Sequence, residues 1–86
     1  MVTRKNIADT LLIYLHHNIS LKELVHWSET QILNGDYETS YEDAIRNALG
    51  RLGAADVLAF GLLWEDCEHI MSSLGYKLNI EAALFA

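Results

Sequence analysis

The chain contains 86 residues with a net charge of −6, and 51% of them are hydrophobic while 21% are charged. This length predicts one domain over residues 1–86 with a single small core. The negative charge argues against nucleic acid and anionic membrane surfaces as partners. The shortage of charged residues predicts that some apolar surface is left for a protein partner or a second copy.

The first helix is predicted to begin after Thr3, which is a suitable N-cap residue. Its apolar residues recur with helical spacing and cover more than half of its circumference, which indicates a central position or contact with another chain. These residues are Ile7, Ala8, Leu11, Leu12, Ile13, Tyr14 and Leu15.

The stretch LHHNISLKELVHW, residues 15–27, holds three of the four histidines and joins two predicted helices. Ser20 followed by Glu23 has the spacing of a capping box, so a second helix begins directly after the serine. His16 and His17 then fall at the end of the first helix, where donor side chains suit the free carbonyl groups. The stretch is therefore predicted to be a polar helix junction.

Neither a metal centre nor a catalytic centre is predicted. A zinc site needs three or four converging ligands, whereas His16 and His17 are helix neighbours that point in different directions and His26 lies in the next helix. Cys67, the only cysteine, lies on an apolar stripe, which is typical of a buried thiol and not of a nucleophile. We expect a non-enzymatic protein with no cofactor.

The second helix is predicted to end at Gly35, which suits a left-handed C-cap. Thr39 with Glu42, or Ser40 with Asp43, has the spacing of a second capping box. The small residues of the third helix would allow close packing against a neighbour. This helix has the clearest period, with Tyr41, Ala44, Ile45, Ala48, Leu49 and Leu52 on one face and Gly53 at its end.

Residues 54–62 fit either a short helical turn or a short strand, and a fourth helix follows with Gly75 at its end. Its apolar face comprises Trp64, Cys67, Ile70, Met71 and Leu74. The alternation in residues 76–80 predicts a strand that pairs with residues 57–62 or with a second subunit. The predicted fold is a mostly α bundle of about four helices with a short C-terminal β-strand or extended segment.

The number of cysteines and the length of the apolar runs indicate the cellular compartment. A lone cysteine excludes an intramolecular disulfide, which favours a reducing environment. The apolar run over residues 11–15 is too short for the hydrophobic region of a signal peptide or for a membrane span. We therefore expect a cytoplasmic protein.

The sequence DYETSYED, residues 36–43, is the candidate binding segment because it concentrates acids and tyrosines. Tyrosine supplies rigid contact area, and acids steer a basic partner. In size, charge and this mixture the chain is similar to bacterial immunity and antitoxin proteins, which implies an inhibitor that blocks a basic protein. No motif is shared, so no functional residue is carried over. The predicted partner-binding residues are Asp36, Tyr37, Glu38, Tyr41, Glu42, Asp43 and Trp27.

Two interpretations of these residues remain open. The segment is either a docking surface or a solvated loop that caps a helix, with Tyr41 in the core. Trp27 is either a core anchor or an interface anchor. The predicted function is a small acidic protein–protein interaction module, and the alternative is a homo-oligomeric structural or adaptor protein that self-associates through the first helix and residues 76–85.

Overall fold

The computed structural model describes residues 1–57 and 61–78, and its regular structure within them consists of four α-helices and one 3₁₀ turn. The elements are α1 (Arg4–Leu15), α2 (Leu21–Asn34), the 3₁₀ turn (Thr39–Tyr41), α3 (Glu42–Gly53) and α4 (Trp64–Ser73). The prediction of a mostly α bundle of about four helices is confirmed. In this part of the chain, β pairing is limited to an isolated parallel bridge between Val2 and Tyr37.

The helix ends follow the capping residues in the first half of the chain. Asn6 N donates to Thr3 Oγ1 (3.1 Å), and Thr3 N donates to Asn6 Oδ1 (2.9 Å). Ser20 and Glu23 form the predicted capping box, with both hydrogen bonds at 3.1 Å. Gly35 ends α2 with φ 63°, as a left-handed C-cap requires. These local signals therefore define where α1 and α2 begin and where α2 ends.

The histidine junction is a backbone motif that closes α1. His16 is the C-cap, and His17 follows in the left-handed region with φ 63°. His17 N donates to Tyr14 O (2.9 Å), and Asn18 N donates to Ile13 O (3.0 Å). This is the pattern of a Schellman motif, in which His17 takes the position that glycine usually fills. The predicted helix junction is present, and both imidazoles are exposed.

The second predicted capping box was wrong. Thr39 and Ser40 belong to the 3₁₀ turn that leads straight into α3, and Tyr41 is the N-cap of that helix. No side-chain hydrogen bond from a described residue caps it. Glu42 lies in the first turn and binds Arg46, so its carboxylate does not reach back to an N-cap amide.

One hydrophobic cluster draws side chains from all four helices. The predicted apolar faces of α3 and α4 are buried, except that Tyr41, Ala44 and Trp64 are only half-buried. On α1 the buried stripe is narrower than the stripe predicted from the sequence, because Leu12 and Ile13 are 39% and 44% exposed. The fully or nearly fully buried residues of the cluster are Val2, Ile7, Ala8, Leu11, Leu24, Ile45, Ala48, Leu49, Leu52, Cys67, Ile70, Met71 and Leu74.

The predicted C-terminal strand lies partly outside the described residues. Residues 76–78 have no regular secondary structure, and residues 79–86 are not described. Of its proposed partner segment, residue 57 is in a turn, residues 61 and 62 are irregular, and residues 58–60 are not described. Within the described residues, no helix is long and apolar enough to cross a membrane.

Candidate functional site

The acid–tyrosine segment, residues 36–43, connects α2 to α3 and holds the beginning of the chain. Val2 N donates to Asp36 O (2.8 Å), and Glu38 N donates to Val2 O (3.0 Å), which places Val2 beside Tyr37 in the parallel bridge. The Val2 side chain is only 4% exposed. The first half of the segment therefore has a structural role.

The first two acids of the segment are engaged by the same region. The Asp36 carboxylate lies 3.3 Å from the α-amino nitrogen of Met1. Glu38 Oε1 accepts a hydrogen bond from Arg4 N (3.1 Å) in the first turn of α1, where the helix dipole favours a negative charge. The Glu38 carboxylate therefore contributes to the fold, whereas the exposed ion pair of Asp36 with Met1 contributes little to stability.

The last two acids differ from each other. Glu42 Oε1 accepts from Arg46 Nη2 at 2.8 Å, one helical turn away. Arg46 also lies over the Tyr37 ring, with its Cζ 5.8 Å from the ring centre. Asp43, by contrast, is an exposed carboxylate of this segment with no ion pair among the described residues.

Arg4 packs against Tyr41 at the start of α3 and also hydrogen-bonds the residue that ends α4. The Arg4 Cζ lies 4.1 Å from the Tyr41 ring centre and 5.7 Å from the Tyr76 ring centre. Arg4 Nη1 donates to Leu74 O at 3.3 Å. Gly75, with φ 87°, gives the guanidinium room, because a Cβ there would lie 2.9 Å from Nη1. Tyr41 is thus half-buried and has a structural role as well as an accessible edge.

Trp27 is intermediate between the two predicted roles. It is half-buried and packs against the hydrophobic cluster, so part of the ring is core. Its remaining surface lines two shallow hollows of about 450 and 270 Å³, one along α2 and one that also includes Val2. Val2 is therefore a neighbour of both Trp27 and the acid–tyrosine segment, since its backbone N–H is hydrogen-bonded to Asp36 O.

A groove between α3 and α4, which the sequence did not predict, is the more enclosed concavity. We call it the α3–α4 groove; its volume is about 330 Å³. Each helix contributes residues at positions i, i+3, i+4 and i+7, so each wall extends over two turns. The lining residues are Ala44, Asn47, Ala48 and Arg51 from α3, and Asp66, His69, Ile70 and Ser73 from α4. The small α3 residues thus form the floor of a groove.

One end of the groove is closed by an ion pair. Arg51 Nη2 donates to Asp66 Oδ2 (2.7 Å) and to Gly61 O (3.2 Å). The same carboxylate oxygen accepts from Leu63 N (2.9 Å) at the start of α4. Arg51 Nη1 is buried with no hydrogen-bond partner in the described part of the chain. The charge of Asp66 is therefore already neutralised from within the protein.

The other end of the groove opens towards the acid–tyrosine segment. Ala44 lines both the groove and a neighbouring hollow of about 280 Å³ formed by residues 39–44. The second hollow includes Tyr41 and Asp43. The structure thus brings the second half of the predicted segment to the mouth of the groove, while Asp36 and Tyr37 line neither cavity.

The titratable residues do not gather into a reactive centre in the regions that the structure describes. Cys67 is 1% exposed, and burial raises the pKa of its thiol to about 11, so the thiol stays protonated near neutral pH. His16 and His17 are exposed together at the end of α1, His26 is exposed on α2, and His69 is exposed on α4. No group of three or more described His, Cys, Asp or Glu side chains is placed to hold a metal ion.

Comparison with protein-family models finds no match, and comparisons with curated proteins and with solved structures find none either.

Proposed function

We propose that the protein is a small, acidic, non-enzymatic protein–protein interaction module that binds a basic partner at the α3–α4 groove. The observation that carries the proposal is an apolar floor with an accessible carboxylate, Asp43, at its open end. Protein interfaces commonly combine an apolar centre with a polar rim in this way. An inhibitor of the immunity or antitoxin type, acting in the cytoplasm, is one form of this proposal.

The charge of the two groove helices supports a basic partner. Together α3 and α4 carry five acidic residues against two arginines. Such an imbalance accelerates the association of a positively charged protein and disfavours acidic ones. The proposed contact is narrower than the segment predicted from the sequence, because Asp36, Tyr37 and Glu38 mainly hold the N-terminal residues in place.

A site-specific photo-crosslinking experiment tests this proposal. A photoreactive residue at Asn47, which is exposed on the groove rim, is expected to crosslink a discrete partner in the native cell. The matched control carries the same residue at Gly50, an exposed position of the same helix where an added Cβ meets nothing within 4 Å. Equal crosslinking at both positions, or none at Asn47, would reject the groove as the binding site.

Self-association is the second candidate function, because large apolar side chains remain exposed away from the groove. Leu12 and Ile13 on α1 are 39% and 44% exposed, and Ile32 and Leu33 at the end of α2 are 42% and 87% exposed. Apolar surface of this kind commonly marks an interface. Sedimentation equilibrium is the test: a homo-oligomer that dissociates in an Ile13→Glu or a Leu33→Glu variant supports this function, and a monomer at high concentration excludes it.

A further inference from the structure

We infer that the partner presents one apolar anchor side chain in the α3–α4 groove and one lysine or arginine against Asp43. The partner places no cation at the opposite end of the groove, which Arg51 and Asp66 close. This inference rests on the proposed function and specifies the chemistry of its partner. It follows from the size of the groove and from the difference between its two ends.

The groove suits an anchor side chain better than a long segment. Its two-turn walls extend over roughly 10 Å, and about 330 Å³ lies at the lower end of the range for ligand pockets. Ala44, Ala48 and Ile70 give it an apolar floor. Aromatic and aliphatic anchors that fill such central pockets dominate the binding energy of many interfaces.

The direction of the helices makes the two ends of the groove different. Arg51, at the last groove position of α3, binds Asp66, at the first groove position of α4. The two helices therefore run in opposite directions along the groove, and Ala44 lies opposite Ser73 at the other end. At the end closed by the ion pair, a partner cation would meet the Arg51 guanidinium, which already binds the Asp66 carboxylate.

At the open end Asp43 supplies a negative charge, while the neighbouring Arg4 guanidinium is held by Tyr41 and by Leu74 O. Glu42 is held by Arg46, whereas Asp43 has no ion pair with a described residue. Because Asp43 is exposed, its pairing with a partner contributes modestly to affinity and acts mainly on association rate and salt dependence. The apolar anchor supplies most of the affinity, and the cation determines the orientation of the partner.

Selection of a random peptide library against the full chain provides the probe. We expect the selected peptides to contain a large apolar residue beside lysine or arginine. Binding of one fluorescent peptide is then measured by anisotropy. Asn47→Trp, which covers the groove from its exposed rim, is expected to weaken binding by at least about tenfold. Asp56→Asn, an exposed acid outside the groove, is the matched control and should change binding less than about twofold.

A double-mutant cycle tests the cation directly. Asp43→Asn in the protein and replacement of the peptide lysine by norleucine should each weaken binding about threefold. Because both changes remove the same ion pair, the combined change should weaken binding no more than either alone. Additive effects, or no effect of Asp43→Asn while Asn47→Trp abolishes binding, would overturn the inference and leave only binding at the groove itself supported. Peptides that bind Asn47→Trp as well as the parent protein, or a selection that yields no binder, would overturn both.

Circular dichroism of each variant shows whether it remains folded. If Asn47→Trp unfolds the protein, Ser73→Phe on the opposite wall provides the same test, since Ser73 is also exposed and lines the groove.

Discussion

Replacing Gly75 with alanine is expected to destabilise the protein through Arg4 as well as through the backbone. Gly75 has φ 87°, and a residue with a Cβ in the left-handed region costs roughly 1–2 kcal/mol. The new Cβ would also lie 2.9 Å from Arg4 Nη1. Since this atom ends a flexible side chain, the guanidinium can move away, but it then loses its present contacts.

The size of the second contribution follows from those contacts. Arg4 donates to Leu74 O at 3.3 Å, a hydrogen bond worth about 0.5–1.5 kcal/mol. Its Cζ lies 4.1 Å from the Tyr41 ring centre, a cation–π contact worth about 0.5–1 kcal/mol. Gly75→Ala should therefore lower the free energy of unfolding by roughly 2–4 kcal/mol in total.

A double-mutant cycle separates the two contributions. In an Arg4→Met background the guanidinium is absent, so Gly75→Ala should lower the free energy of unfolding by only about 1–2 kcal/mol. Urea unfolding followed by far-UV circular dichroism gives the four free energies. Gly50→Ala is the control for the glycine-to-alanine change, because Gly50 is an exposed helical position and alanine should stabilise it by up to about 1 kcal/mol.

An effect of Gly75→Ala that is the same in both backgrounds within about 0.5 kcal/mol would contradict this prediction. The steric contact with Arg4 would then contribute nothing measurable, and the role of Gly75 would be confined to its own backbone conformation.

Three further predictions concern single positions. His17→Gly should raise the melting temperature by about 4–8 °C because it relieves a left-handed residue of its Cβ, whereas His17→Ala should give no such gain; equal melting temperatures for both variants would contradict this. Ser20→Ala should lower the free energy of unfolding by about 1 kcal/mol, while Ser40→Ala leaves it unchanged, as measured by urea unfolding; equal losses would restore the rejected capping box. Cys67 should react with a thiol reagent near pH 8 only after unfolding. Because its folded pKa of about 11 exceeds the ordinary value of 9.0, its contribution to stability is present below pH 9 and is lost as the pH rises towards 11; a rapid reaction of the folded protein would show that the thiol is accessible.

The capping signals show how far local sequence information reaches. Ser20 and Glu23 are three residues apart, and both hydrogen bonds of their capping box form as predicted. Thr39 and Ser40 carry the same type of signal, yet the structure places them in a 3₁₀ turn. Their segment is held by Val2 and by the contact between Glu38 and Arg4, which are 34 residues apart in the sequence. A pairing at that distance has no local signature.

In the candidate site, too, local sequence signals identified residues but not the contacts that they make with distant parts of the chain. The sequence identified the acids and tyrosines of residues 36–43, but it contained no information on which of them would be engaged by cations or amides of the protein itself. Arg46 lies about one turn from both Glu42 and Asp43, and in the structure it pairs with Glu42, which leaves Asp43 without an ion pair among the described residues. The α3–α4 groove was missed because its two walls come from different helices, and the only local sign of it was the small side chains of Ala44 and Ala48.

Local sequence patterns therefore determined the helices, the centres of their buried faces and most of their ends, since periodicity and capping depend on residues within a turn or two of one another. The tertiary structure alone decided that Arg51 closes one end of the groove, that Arg4 rests on Tyr41, and that Asp43 is left exposed at the other end. The physical reason is that ion pairs and grooves depend on the distance between elements that are remote in the chain. That distance is set by how the core side chains pack together.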